Sequence, residues 1–271
     1  MLSNIIIVNY NNSQCTIDLI SSLVSSSQYV NKVIVIDNNS SSEEVSLLKV
    51  GVRNYYSIEV RLIESNVNVG YFPALNLGIA TLSNDDKSNC MTIIGNNDLV
   101  FNQDFFTILT SKEYDKNTIA ISPSIITSDG VYQNPAQVNK PSRLKRCFYR
   151  IYFSNYYIGS LILKIWIALG FSAQSKIKKD LHSKKIYIGM GAIYILRPEF
   201  FNFYDKLNYP FFLYGEEAFL SQQILDVKRE LFYDSEIEVL HLESVATNKL
   251  PSQNKYSLMK KAYSVYRHFF K

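Results

Sequence analysis

The stretch from 91 to 98 combines an apolar run with three polar side chains, in a pattern that could bind a metal ion. It reads Met-Thr-Ile-Ile-Gly and then Asn96, Asn97 and Asp98. A β-strand that ends in an aspartate brings a charged oxygen ligand to the rim of a sheet, where open α/β sheets bind ligands. The stretch predicts a site for a metal-bound phosphate, although Asn and Asp at a strand end are also typical of an ordinary turn.

Short β-branched runs closed by polar residues also occur twice near the N-terminus. Residues 5–8 are followed by Asn-Tyr-Asn-Asn, and residues 33–36 by Asp-Asn-Asn-Ser. Between them, residues 13–27 carry apolar side chains at helical spacing, with a capping residue at position 12 or 13. A strand, a helix and a strand of these lengths predict a right-handed parallel βαβ unit.

A second unit follows directly along the chain. Residues 58–63 predict a strand, residues 73–82 a helix whose first turn tolerates Pro73, and residues 90–95 the strand before Asp98. The predicted fold class is therefore α/β, with a mostly parallel sheet flanked by helices. A chain of 271 residues is long enough for one such domain with a full core and appended helices.

Taken in order, these segments resemble the family 2 glycosyltransferases of the GT-A fold, particularly bacterial rhamnosyltransferase-like and galactofuranosyltransferase-like members. The resemblance covers about residues 3–245, in the segments IVNYNN, VIDNNS, ESNVNVGY with LNLGI, the strand ending NND, GMGAIYIL, FFLYGEEAF and VLHLE. It implies a Rossmann-like GT-A domain over residues 1–245 that binds a nucleotide-diphosphate sugar. It also implies that a D-x-D-like motif holds Mn²⁺ or Mg²⁺ and that an E-D motif supplies a catalytic carboxylate.

The resemblance assigns roles to particular residues. Glu217 occupies the position of the second acid in the E-D pair and is the predicted catalytic base, with Glu216 beside it. Asp98 is the predicted metal ligand and His241 a further ligand; an imidazole ligand suits Mn²⁺ better than Mg²⁺. The predicted nucleotide-binding residues lie at successive strand ends and in the loops after them: Asn9, Tyr10, Asp37, Asn39, Asn66, Asn68, Gly70 and Asn97.

The pattern around these residues adds detail. Both glutamates fall in the first turn of a helix predicted from residue 215 or 216 to 227, where the helix dipole favours an ionised carboxylate; acids are also common at any helix start. The aromatic-rich residues 211–214 predict a partly enclosed wall. Asp37 is expected to accept a hydrogen bond from the nucleotide base, and Gly70 to permit a close backbone approach or a positive φ.

Three positions depart from the family pattern. The metal motif keeps only its last carboxylate, that of Asp98. Pro73 and Ala74 replace the usual paired glycines, so the donor loop is expected to be stiffer. The catalytic pair is Glu-Glu instead of Glu-Asp, which makes the side chain of the base one methylene longer.

A basic segment interrupts the predicted domain at about residues 140–185. It holds eleven Lys and Arg and one acid, a local charge of +10 in a chain whose net charge is +4. Apolar residues recur within it at helical spacing, the pattern of a basic amphipathic helix too short to span a bilayer. We predict that Ile158, Ile162, Ile165 and Trp166 lie at an anionic membrane surface with the lysines at 176–184 on lipid headgroups. A buried helix and a homodimer contact are the alternatives.

Residues 246–271 repeat this composition without any acid and are predicted to form a basic, aromatic C-terminal helix. No nucleic-acid-binding motif accompanies either basic segment, so nucleic acid is not a predicted partner. Three cysteines without metal-ligand spacing indicate reduced thiols, and no signal peptide is visible. These features predict a cytoplasmic protein that is peripheral at the inner face of the cell membrane.

The combined prediction is an inverting, metal-dependent glycosyltransferase. It would move a sugar from a UDP- or dTDP-linked donor to a saccharide or lipid-linked saccharide acceptor in the assembly of O-antigen or capsule. Two alternatives stay open. A sugar-1-phosphate nucleotidyltransferase would normally show a basic, glycine-rich loop where this chain has Asn-Tyr-Asn-Asn, and a non-catalytic donor-binding scaffold is compatible with the loss of the first metal carboxylate.

Overall fold

The computed structural model describes residues 1–53, 55, 57–169, 178–242 and 252–270. Strands and helices alternate in its first part, as the sequence predicts. The elements are β1 Leu2–Asn9, α1 Ser13–Leu23, β2 Val30–Asp37, α2 Ser42–Val52, β3 Val60–Glu64, α3 Tyr71–Ile79, α4 Asn84–Asn89 and β4 Cys90–Asn96. The first helix ends earlier than predicted, because the chain continues from Val24 to Tyr29 as a 3₁₀ turn.

The second part of the chain mixes strands of both directions with helices. Its elements are β5 Leu99–Phe101, α5 Asp104–Ser111, β6 Thr118–Thr127, α6 Arg143–Tyr152, α7 Tyr156–Ala168, β7 Lys184–Ile186, β8 Ile193–Leu196, α8 Pro198–Phe201, α9 Glu216–Asp226, β9 Glu230–His241 and α10 Gln253–Tyr266. Among the described residues, no helix is both long enough and apolar enough to cross a membrane.

One sheet joins the strands in the order β3-β2-β1-β4-β8-β6-β9-β5, and β7 pairs with β9. The first four strands are parallel to one another. Strand β8 is antiparallel to β4 and β6, β9 is parallel to β6, and β5 is antiparallel to β9. The predicted α/β class is confirmed, and the polar residues that end β1, β2 and β4 lie along one edge of the sheet.

Both faces of the sheet are buried. Ile5 and Ile7 of β1 belong to one hydrophobic cluster and Ile6 to the other, because successive side chains of a strand point to opposite faces. Helix α1 packs on the first face through Leu19 and Leu23. Each fully buried side chain of this size contributes roughly 1.5–3 kcal/mol, so the two clusters fix the strand ends that carry the polar residues.

A third, aromatic cluster joins α6, α7 and α10. Phe153, directly after α6, stacks on Tyr263 of α10 with ring centroids 4.4 Å apart, and Tyr256 and Phe270 are also buried in this cluster. The aromatic side chains of the C-terminal helix therefore pack against the inserted helices. The predicted helix is observed as α10; the preceding residues 243–251, with Lys249, and the terminal Lys271 lie outside the described residues.

Helix α7 exposes most of its apolar side chains, and Gly159 is its buried residue. Ile158, Ile165 and Trp166 are exposed as predicted, whereas Ile162 packs against the aromatic cluster of α6, α7 and α10. Ile162 is a correction to the predicted membrane-facing set, because it lies on the inner side of the helix. A buried helix is excluded for α7 within this chain.

The lysines after α7 are engaged within the protein. Nζ of Lys179 lies 2.9 Å from Glu238, and Nζ of Lys184 lies 2.6 Å from Asp180. Because these pairs neutralise their charges, the prediction that Lys179 and Lys184 contact lipid headgroups is corrected. Lys176 lies outside the described residues.

Candidate active site

Asp98 and His241 meet at the carboxyl edge of the sheet. Asp98 stands between β4 and β5, and the antiparallel pairing of β5 with β9 sets Leu99 opposite His241. The backbone N–H of Leu242 donates to the carbonyl oxygen of Asp98 at 2.8 Å. This pairing brings Nε2 of His241 to 3.2 Å from Oδ1 of Asp98. The two predicted metal ligands are therefore adjacent.

Neighbouring amides orient the His241 ring. Its Nδ1 lies 2.9 Å from Oε1 of Gln133, an atom that only accepts, so Nδ1 carries the proton. Asn96 approaches Nε2 with its Nδ2 at 3.4 Å. Nε2 of the ring thus faces the carboxylate of Asp98. This arrangement, with the other ring N–H held by an amide oxygen, is the one that metal-binding histidines adopt.

The Oδ1 atom of Asp98 is buried and accepts no hydrogen bond within the described part of the chain. Either a proton on Nε2 of His241 or a cation between the two side chains would satisfy it. In the described ranges, no three His, Cys, Asp or Glu side chains are grouped to hold a metal. A cation here would thus take two protein ligands and complete its shell from water or phosphate oxygens, the usual mode for Mg²⁺ at phosphate sites.

A cleft of about 440 Å³ opens beside this pair, within the size range of small-molecule sites. Four of the eight predicted nucleotide-binding residues line it: Tyr10, Asn68, Gly70 and Asn97. Asn38, Tyr71 and Phe212 complete much of the wall. The cleft therefore joins the ends of β1, β2 and β4 to the loop before α3.

Asn9 and Asp37 lie behind the cleft wall. Asn9 donates to Oδ1 of Asp37 at 2.8 Å, and the backbone N–H of Ser40 donates to Oδ2 at 3.0 Å. Both carboxylate oxygens are engaged and Asp37 is only 1% exposed, so it braces the end of β2 in this conformation; its bond to the nucleotide base stays a prediction. Asn39 and Asn66 are exposed and do not line the cleft, and Asn39 takes a left-handed φ of 69°.

Asn97 lines the cleft, and its side-chain N–H groups are engaged in hydrogen bonds within the protein. Its Nδ2 donates to Oδ1 of Asn9 at 3.1 Å, to Oγ1 of Thr16 at 2.9 Å and to the carbonyl of Asn12 at 2.9 Å. These bonds tie the end of β4 to the loop after β1. Asn97 therefore fixes the position of the following residue, Asp98.

Asn38 was not among the predicted site residues, yet it holds the cleft wall together. Its Nδ2 donates to Oδ1 of Asn68 at 3.0 Å and to the carbonyl of Gly70 at 3.1 Å. Its Oδ1 accepts from the backbone N–H of Val69 at 2.9 Å. The signal in the sequence was the run Asp-Asn-Asn at the end of β2. In the structure, the central side chain of this run points to the neighbouring loop.

Gly70 has both properties expected of it. Its φ is +92°, and a Cβ at this position would overlap the carbonyl of Phe212. The backbone N–H of Tyr71 donates to that same carbonyl at 3.4 Å. The predicted aromatic wall at residues 211–214 thus rests directly on the donor loop.

A left-handed turn leads from the cleft-lining residues Phe212 and Leu213 to the two glutamates. Tyr214 has a φ of 74° and Gly215 a φ of 91°, immediately before α9 begins at Glu216. Strained backbone of this kind at a non-glycine residue clusters at functional sites. The backbone N–H of Tyr214 donates to Oε1 of Glu216 at 3.0 Å. Burial, and next the charge of Glu217, raise the pKa of Glu216 to about 7.

Glu217 faces the small residue Gly191 before β8. A Cβ on Gly191 would lie 2.6 Å from Oε1 of Glu217, and the backbone N–H of Gly191 stabilises the carboxylate, while burial raises the pKa of Glu217. Tyr71 donates its hydroxyl to the carbonyl of Gly191 at 2.9 Å. Burial and then the charges of Glu216, Glu217 and Asp98 raise the pKa of Tyr71 well above its usual value. The metal pair and the glutamate pair thus flank one tyrosine.

The chain matches a family of known proteins in its sequence. The family model described as glycosyl transferase family 2 matches residues 4–173, and the chain belongs to this family. No curated protein sequence matches it. The finer rhamnosyltransferase-like and galactofuranosyltransferase-like resemblance is not part of this match.

Solved structures show the fold. A crystal structure of GalNAc-T7 with UDP, GalNAc and Mn²⁺ is 13% identical, with a TM-score of 0.61 over 100% of this chain and 49% of that one. A mannosyltransferase from Pyrobaculum calidifontis with GDP-Man and Mn²⁺ is 12% identical, with a TM-score of 0.57 over 99% of this chain and 71% of that one. S. aureus TarS 1–349 with UDP-GlcNAc is 11% identical, with a TM-score of 0.55 over 92% and 60%. The chain spans about half the length of the first of these, and the predicted GT-A fold is confirmed.

Proposed function

We propose that this protein is an inverting glycosyltransferase that uses a nucleotide-diphosphate sugar and a divalent cation. The observation that carries the proposal is that Tyr71, in the wall of the cleft, is flanked by the metal pair and by the glutamate pair. The Asp98 and His241 pair lies at one end, the polar cleft beside it, and Glu217 opposite Gly191. The metal pair suits the leaving diphosphate, the polar cleft suits the nucleotide, and Glu217 suits the acceptor hydroxyl.

Asp98 and His241 are the proposed holders of Mn²⁺ or Mg²⁺. When bound, such an ion neutralises the charge that develops on the departing diphosphate. The residues fit the role because Oδ1 of Asp98 is buried without a hydrogen bond and Nε2 of His241 lies 3.2 Å from it. Asn97 and Gln133 position these two side chains.

Glu217 is the proposed general base. Inverting transfer requires a carboxylate to take the proton of the attacking acceptor hydroxyl, and Glu217 lies against Gly191, beside the hydroxyl of Tyr71. Glu216 is buried, with a pKa of about 7, so its protonation near neutral pH removes a repulsion from Glu217. Glu216 therefore acts as a positioning residue that tunes its neighbour.

The donor and acceptor follow from the site and the surface. The donor is proposed to be a UDP- or dTDP-linked hexose or deoxyhexose. The acceptor is proposed to be a lipid-linked saccharide of a surface polysaccharide at the inner face of the cell membrane. Support for a lipid comes from α7, where Tyr157, Leu161 and Trp166 are more than half exposed. An apolar face of this kind marks a protein or membrane contact.

A thermal-shift experiment tests the donor and metal assignments. UDP, dTDP and GDP are compared with and without Mn²⁺ on the wild type, on Asp98→Asn and on the exposed control Asp129→Asn. A ligand at 100 times its Kd stabilises the folded state by about 2.7 kcal/mol. We expect Asp98→Asn to lose the Mn²⁺-dependent part of this stabilisation, His241→Ala to lose less, and the control none. A nucleotide response in the wild type that EDTA leaves unchanged would contradict the metal assignment.

A further inference from the structure

An apolar cavity of about 390 Å³ lies between α6, α7 and α10, outside the nucleotide cleft. Its lining is aromatic and aliphatic and includes Phe148, Ile162, Trp166, Met259 and Tyr266. A largely apolar cavity of this size suits an apolar ligand. It belongs to none of the groups assigned to the donor, the metal or the base.

The cavity connects two surfaces that the proposed reaction needs. At one side its wall includes Trp166 and Phe148, which are 51% and 41% exposed and continue the apolar face of α7. At the other side its wall includes Tyr266, whose ring lies 2.8 Å from a Cβ built on Gly215. Gly215 directly precedes Glu216 and Glu217, so only the ring of Tyr266 separates this end of the cavity from the start of the catalytic helix.

The charged side chains on α6 and α7 have one sign, and Nζ of Lys145 lies 5.8 Å from the ring centroid of Tyr149 in the cavity wall, whereas Glu216 and Glu217 lie on the other side, beyond Tyr266. Helix α6 carries Arg143, Lys145, Arg146 and Arg150 and no acid, and the charged residue of α7 is Lys164. An occupant that is apolar along its length and anionic near one end complements both the lining and these cations.

We propose that the cavity between α6, α7 and α10 binds the hydrocarbon chain of a single-chain lipid phosphate that carries the acceptor saccharide, with its phosphate at the cations of α6. The inference rests on the proposed glycosyltransferase function for the identity of the attached saccharide. Binding of the lipid chain itself requires only the cavity and the cations. No bond forms or breaks at this site.

Trp166 provides a direct measurement because it is the single tryptophan of the chain and lines the cavity. The probe is a chain-brominated alkyl phosphate kept below its micelle concentration, since bromine quenches tryptophan fluorescence on contact. We expect saturable quenching that the unbrominated alkyl phosphate reverses. Brominated alkyl alcohol should bind about tenfold more weakly for want of the phosphate, and inorganic phosphate alone should not compete.

Two substitutions fill the cavity, and one controls for surface effects. Met259→Phe and, separately, Leu163→Phe should each lower the affinity for the probe by about tenfold. The added ring occupies space that the hydrocarbon chain would otherwise fill, and overpacking of this kind costs at least about 1 kcal/mol. Leu144→Phe adds the same ring on α6, where Leu144 is 84% exposed and outside the cavity, and should leave the quenching unchanged. A cooperative thermal unfolding transition like that of the wild type shows that each variant is folded.

Three results decide the proposal. Absence of saturable quenching in the wild type overturns it. Quenching that survives both filling variants but is lost in Leu161→Gln, on the exposed face of α7, also overturns it and assigns the lipid to the surface alone. Loss of quenching in both cavity-filling variants, with quenching retained in Leu144→Phe, supports the proposal. Failure of the proposed function would appear separately, as absent nucleotide binding in a protein whose probe quenching is intact.

Discussion

Replacing Glu216 by Gln should make the protein more stable at alkaline pH. Glu216 is 6% exposed, and it carries a charge beside that of Glu217 when both are ionised. Glutamine keeps the shape of the side chain and an oxygen that can accept from the backbone N–H of Tyr214, which lies 3.0 Å from Oε1. The substitution therefore removes the cost of a buried charge with little change in packing.

The magnitude follows from the pKa. Glu216 has a pKa of about 7 in the folded protein against 4.5 for a free side chain, so the folded state holds the proton more tightly. Stability from this group is complete below pH 4.5 and is lost as the pH rises through 7, by about 3 kcal/mol in total. For a chain of this size, that difference corresponds to roughly 6 to 12 °C in Tm.

The assay is urea or thermal unfolding of both proteins from pH 5 to pH 9. We expect Glu216→Gln and the wild type to coincide near pH 5 and to diverge by about 3 kcal/mol near pH 9, with the variant more stable. The exposed Glu113→Gln should show no such divergence. A Glu216→Gln variant that is destabilised by the same amount at both ends of the range would refute the reasoning, because the role of Glu216 would then be a hydrogen bond and not a buried charge.

Three further outcomes follow from the site and the surface. Glu217→Gln should reduce transfer by about 10² to 10⁴-fold while donor binding persists; near-normal transfer, with the loss in Glu216→Gln instead, would exchange their roles. Gly191→Ala should lower kcat more than donor affinity, because its methyl would lie 2.6 Å from the Glu217 carboxylate; unchanged kcat would remove Gly191 from the site. Leu161→Gln should reduce sedimentation with anionic vesicles; equal partitioning of the wild type onto neutral and anionic vesicles would contradict the membrane surface.

The sequence was a good guide to strand ends and a poor guide to side-chain direction. Parallel strands that are buried on both faces read as continuous β-branched runs, so β1, β2 and β4 were visible from composition. The polar residues that close them share one edge, as predicted. Whether each polar side chain turns towards the cleft or into the core depends on its partners in neighbouring loops, and this is why the sequence did not single out Asn38, which lines the cleft, from Asp37, which lies behind its wall.

The local sequence pattern did not predict how the strands pair in the half of the sheet that contains antiparallel strands. Strand β9 is long and pairs with three others, so the register that sets His241 beside Asp98 depends on contacts far apart in the chain. The family resemblance supplied His241; hydrophobic period alone could not. The aromatic residues of α10 suit both a membrane interface and a packed helical cluster, and composition does not distinguish the two. The structure places these rings in the cluster.

The backbone bond from Leu242 to Asp98 has a use beyond holding the metal pair together. This N–H lies just past the end of β9, so its exchange with deuterated solvent requires β5 and β9 to separate at their shared end. An ion bound by both side chains would oppose that separation. Hydrogen exchange at this one amide would therefore read out cation binding in solution without any substrate, and the slowing of exchange at rising Mn²⁺ would give the affinity of the site directly.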